Sequence, residues 1–68
     1  MLDPDLVHDP HLWNCRETCR FFGGIHPASL YRGISRGLFP RPLKIGGSSR
    51  WLRSECEAVL ARLKERRA

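Results

Sequence analysis

Between Asn14 and Trp51 the chain is interrupted so often that no regular element there can be long. Gly23-Gly24, Pro27, Gly37, Pro40, Pro42 and Gly46-Gly47 follow one another at short intervals. Glycine accepts the left-handed backbone that stops helices, and proline removes an N–H and fixes its own torsion. The breaks therefore divide the middle of the chain into several short pieces, and the longest stretch free of both residues is the C-terminal one that follows Gly47.

Each piece has a recognisable pattern. Asn14 with Glu17 three residues later has the form of a capping box, and Cys15, Cys19 and Phe22 follow on one helical face with Phe21 beside them. Gly23 and Gly24 end this first helix. A second begins almost at once, with His26 at the cap, Pro27 at the first helical position and Gly37 as its stop. The turn between the two centres on Gly24 and Ile25, which makes a helix-turn-helix. In "LFPRPLKIGGSSRW" the prolines enforce an extended path, and "GGSS" between "LKI" and "RW" reads as the loop of a small β-hairpin. Ser54 and Glu57 then suggest a second capping box. They open a last helix whose stripe is Cys56, Val59, Leu60 and Leu63. The expected fold is mostly α with a small β-hairpin, in the order helix, helix, hairpin, helix. Its core is expected from Trp51, Leu30, Ile34, Phe22, Val59 and Leu60.

With 68 residues there is one small domain, residues 12–68, behind a loosely ordered acidic arm, residues 1–11, that is broken by two Asp-Pro steps. A chain this short has no room for a deep catalytic cavity. No apolar run approaches the roughly 20 residues that cross a membrane, and no signal-peptide pattern opens the chain, so a soluble, cytoplasmic protein is expected.

Charge is unevenly spread. Residues 1–15 carry Asp3, Asp5 and Asp9 and no lysine or arginine. Residues 16–68 hold all 12 basic residues against Glu17, Glu55, Glu57 and Glu65, a formal +8. That density favours a polyanionic partner, nucleic acid first and an anionic membrane second.

The second helix and the hairpin carry the candidate contacts. On a helical wheel Leu30 and Ile34 point inward, while Arg32 lies opposite them, flanked by Ala28, Ser29, Ser35 and Arg36. Small residues allow close approach, and arginine pairs with guanine edges or phosphates. Tyr31 suits a mixed role, its ring on the core edge and its hydroxyl toward a phosphate. In the hairpin, Lys44, Ser48, Ser49 and Arg50 suit phosphate contacts or a narrow minor groove, with Arg41 on the approach. Taken alone, the helix face reads equally as a solvated basic surface; its nearness in sequence to a basic hairpin favours DNA. Gly33 costs about 1 kcal/mol relative to alanine in a helix, and close packing on the first helix is the expected compensation.

His8, His11, Cys15 and Cys19 have the chemistry of a zinc site. However, both cysteines fit the buried stripe of the first helix, so reduced core thiols are the preferred reading and no metal or cofactor is expected. An odd cysteine count with no export signal argues against a disulfide framework. No catalytic grouping has supporting context, and no enzymatic activity is expected.

From Leu12 to about Leu63 the chain resembles the AlpA-like excisionase family, a branch of the MerR-like winged helix-turn-helix proteins. The resemblance is carried by Glu17, Gly24, "SLYR" at 29–32, "GLFPRP" at 37–42, Arg50-Trp51 and "SECE" at 54–57. It implies a second helix in the major groove, a wing on the backbone or minor groove, and control of site-specific recombination in a bacterial, DNA-associated setting. Such proteins bind and bend attachment-site DNA as recombination directionality factors beside an integrase, often with cooperative self-association, or activate transcription. Two departures stand out: His26-Pro27-Ala28 replaces a more polar helix start, and Gly33 stands where a larger residue is common. The alternatives are an AlpA-type transcriptional regulator and, more distantly, an interaction module for an acidic protein.

Overall fold

A computed structural model describes residues 11–67. The observed order is β1 (Leu12–Trp13), α1 (Cys15–Phe21), α2 (Pro27–Ser35), β2 (Leu43–Ile45), β3 (Ser48–Leu52) and α3 (Arg53–Arg66). The three helices and the hairpin lie where the sequence puts them. A third strand joins them, because β1 pairs antiparallel with β3, giving the sheet order β1-β3-β2. The fold is thus mixed α/β, with a small three-stranded antiparallel sheet in place of an isolated hairpin. Of the arm expected over residues 1–11, residues 1–10 lie outside the described residues. His11 is described, and its carbonyl accepts the Arg53 N–H at 2.8 Å, extending the β1–β3 ladder.

Asn14 forms the capping box that its spacing with Glu17 predicts. Its side-chain oxygen accepts the Glu17 N–H at 2.8 Å, and its own N–H is donated to the Glu17 carboxylate at 3.0 Å. At the other end of α1, Gly24 and Ile25 both donate to the Cys19 carbonyl, with Gly23 and Gly24 at positive φ. Orphan carbonyls at the helix end are satisfied in this way, and the chain turns directly into α2.

The α3 capping box does not form. The helix begins two residues early, at Arg53, with Leu52 at the cap position and no side-chain cap bond. Strand β3 runs straight into the helix, and the first free N–H is already held by His11, so Ser54 falls inside the first turn. Glu57 instead pairs with Arg53 at 3.2 Å, both side chains being about half exposed. Such a surface pair contributes little, about 0.3–0.5 kcal/mol.

The core centres on Trp51 and Leu30, both fully buried, with Cys19, Cys56 and Val59. Phe22, Ile34 and Leu60 are half-buried, and Leu63, at the end of the expected α3 stripe, is exposed. Thr18 is completely buried, and its hydroxyl donates to the Asn14 carbonyl at 2.9 Å, which is why a polar side chain can sit there. A chain of aromatic contacts runs from Trp13 through Phe21 and Phe22 to Phe39, with centroid separations of 4.9, 5.1 and 4.6 Å.

Gly33 is explained by this chain of rings and not by α1. A Cβ at Gly33 would meet the Phe39 ring, 2.5 Å from Cε2 and nearer still to Cδ2. The Gly33 carbonyl also accepts the Leu38 N–H at 2.8 Å. The bare glycine lets the link after α2 fold back against the helix.

Candidate nucleic-acid interface

Helix α2 is held at its start by a histidine. His26 Nδ1 accepts the Ala28 N–H at 3.0 Å, and Pro27 follows at the first helical position. Leu30 and Gly33 are buried on the inner side, whereas Ala28, Arg32, Ser35 and Arg36 are exposed and Ser29 is half-buried. The outward face is therefore the one the wheel predicts: small residues at the N-terminal end and two arginines one turn on. The Ser35 hydroxyl is donated to the Arg32 carbonyl at 2.8 Å, which leaves its lone pairs as the groups it can offer.

The hairpin differs from expectation at its tip. Its loop is Gly46-Gly47 alone, with φ of 56° and 85°. Positive φ at both central residues is the signature of the two-residue turn whose twist matches antiparallel strands. Ser48 and Ser49 are consequently strand residues, paired with Ile45 and Lys44, and not tip residues. Side chains alternate along a strand, so Ser49 shares a face with Trp51 and its cross-strand partner Lys44, while Ser48 shares the opposite face with Arg50. Lys44 Nζ donates to Ser49 Oγ at 2.8 Å, and Arg50 Nη1 donates to the Ser49 carbonyl at 3.0 Å. Both cations are thereby steadied by the same residue.

Trp51 joins the two elements. Its indole N–H is donated to the Pro40 carbonyl at 3.0 Å, anchoring the link after α2 to β3. The Tyr31 ring meets Trp51 edge-on at a centroid distance of 6.0 Å, while Tyr31 itself is 47% exposed. The ring thus rests on the edge of the core, and about half of the residue is accessible. Arg41 is exposed on the link between helix and hairpin.

The chain that supplies these residues carries charge of one sign. From Cys19 to Ser54 the chain contains no aspartate or glutamate, but it contains Arg20, Arg32, Arg36, Arg41, Lys44, Arg50 and Arg53. Among the described residues Arg32, Arg36, Arg41 and Lys44 form no ion pair. Such a stretch is a signal the sequence offers directly, in addition to the two basic elements taken separately.

Of the three thiols, Cys19 and Cys56 are buried, whereas Cys15, expected on the same buried stripe, is half-buried. Burial, helped by the neighbouring Cys15, pushes the Cys19 thiol up from its ordinary value. Burial first, then Glu55 and Glu57, pushes Cys56 up to about 11. Both groups are held protonated at neutral pH, which suits packing and not nucleophilic work. His8 of the weighed zinc set lies outside the described residues, and among those described no three potential metal ligands come together. Among the described residues no helix is long and apolar enough to cross a membrane.

Compared with known proteins, the chain matches no family profile, no curated protein and no solved structure.

Proposed function

We propose that the chain is a sequence-specific double-stranded DNA-binding protein of winged helix-turn-helix form. In this reading α2 is the recognition helix and the β2–β3 hairpin is the wing. The observation that carries the reading is the run of chain from Cys19 to Ser54, basic and without aspartate or glutamate, which supplies the outer face of α2, the Arg41 link and the hairpin and is tied together at Trp51. Ala28 and Ser29 permit close approach at the helix start. Arg32 and Arg36 reach base edges or phosphates, with Tyr31 and Ser35 alongside. Arg41, Lys44, Ser48, Ser49 and Arg50 serve the backbone or minor groove.

The resemblance of residues 12–63 to AlpA-like excisionases supports a more specific task. The protein would bind and bend attachment-site DNA so that an integrase excises a prophage or integrative element, with copies associating cooperatively along the site. Transcriptional activation in the AlpA manner uses the same surface. An excision assay with a cognate integrase separates the two: excision that depends on Arg32 supports the directionality role, and promoter activation without excision supports the regulator. The DNA reading itself is tested by Arg32→Ala. If Arg32 reads a base, its loss costs about 1–3 kcal/mol and relaxes preference at that position. Unchanged affinity in a footprinting titration refutes the assignment.

A further inference from the structure

We propose that Ile45, at the tip of the hairpin, is an apolar wedge that enters the DNA minor groove and kinks the duplex. The proposal rests on the DNA-binding reading above and assigns a contact to a residue which that reading leaves unused. Strand alternation places Leu43, Ile45, Ser48 and Arg50 on one face of the hairpin, opposite the face that carries Trp51 into the core. Leu43 is 45% exposed and Ile45 is 38% exposed, so neither is used up by the core. Two exposed aliphatic residues on an edge strand invite pairing with other chains unless a partner covers them.

The surroundings identify that partner. Ile45 directly precedes Gly46-Gly47, a turn without side chains, so the end of the hairpin is slender. The minor groove is only about 6 Å wide and admits narrow elements. Arg50 sits across from Leu43 on the face that Ile45 shares, and Lys44, next to Ile45 on β2, projects from the other face beside Ser49, so cations border the hairpin end on both faces. No carboxylate interrupts this part of the chain. A bare aliphatic group flanked by cations matches a groove with apolar sugar walls between two lines of phosphate. Isoleucine and leucine are among the side chains that insert between base steps, unstacking them and bending DNA by roughly 20–90°.

The test uses the full chain and a duplex that it recovers from a random-sequence pool, end-labelled for energy transfer, with 2-aminopurine placed at successive steps. Wild type is expected to shorten the end-to-end distance and to raise 2-aminopurine fluorescence at one step. Ile45→Ala, and Ile45→Thr, which keeps the β-branched shape in the strand, are expected to lose both signals while retaining duplex binding. Tryptophan fluorescence of each variant confirms that Trp51 is still buried. A bend unchanged in both variants overturns the wedge, as does a wild-type complex that leaves the duplex straight. If wild type sediments as a dimer without DNA and both variants as monomers, Leu43 and Ile45 cover a second copy instead, and the wedge is overturned. Recovery of no duplex at all overturns the DNA reading, and the wedge with it.

Discussion

Gly33→Ala is ordinarily a stabilising exchange in a helix interior, worth about 1 kcal/mol in propensity. Gly33 sits inside α2 without a positive φ, so the backbone raises no objection to a side chain. The obstacle is the Phe39 ring, which occupies the space a Cβ needs. Phe39 cannot simply retreat, because Phe22 lies against it at 4.6 Å and the Leu38 N–H is tied to the Gly33 carbonyl. Overpacking of this kind costs about 1–3 kcal/mol. Setting the propensity gain against it leaves a net loss of about 1 kcal/mol, between about 0 and 2. In a domain of this size that lowers Tm by about 4–8 °C per kcal/mol. The same exchange made in a Phe39→Ala background meets no ring, and only the propensity term remains. Thermal unfolding followed by circular dichroism should therefore show Gly33→Ala destabilising the parent chain and stabilising the Phe39→Ala chain. A Gly33→Ala variant more stable than the parent, or an effect of the same sign and size in both backgrounds, refutes the account of this glycine.

Two other substitutions follow from the same geometry. The Cys56 thiol is pushed up from 9.0 to about 11, so between those values the folded chain holds a proton that the unfolded chain releases. Stability from this group is thus complete below pH 9 and falls by up to about 3 kcal/mol by pH 11; unfolding titrations across that range should show a shallower decline in Cys56→Ala. His26→Asp keeps a cap acceptor and adds a carboxylate at the N-terminus of α2, where the helix dipole favours it by about 0.3–1 kcal/mol. Tm should rise while duplex affinity falls, since the new charge stands at the end of the helix proposed to approach phosphates; a parallel rise in both would place the DNA elsewhere.

Much of the fold is legible because punctuation and periodicity coincide. Asn14 with Glu17, Pro27 with Gly37, and Gly46-Gly47 each mark a boundary by local chemistry, and each boundary is found close to its mark. What escapes the sequence is what depends on distant partners. Strand β1 is two residues long, too short to show alternation, and exists because Leu52 and Trp51 offer it a ladder. The Ser54 cap fails because β3 flows straight into α3 at Arg53, whose N–H is held by the His11 carbonyl, so Ser54 falls inside the first turn. Gly33 looks costly until Phe39 is folded onto it, and no spacing rule links residues 33 and 39. At the candidate interface, the exposed side of α2 is legible from the wheel. The tip of the hairpin is not, because assigning Ser48 and Ser49 to the loop hides the register that pairs Ile45 with Ser48 and sets it on one face with Arg50.

The most direct measurement of the central claim is the affinity of the full chain, at fixed salt, for a duplex recovered from a random pool and for the same duplex with its sequence scrambled. A recognition helix with base-reading arginines predicts binding to the recovered duplex at least about 10³-fold tighter, with both affinities falling steeply as salt rises. Equal affinity for the two sequences would reduce the surface to a non-specific basic face. No binding to either at low salt would contradict the account outright.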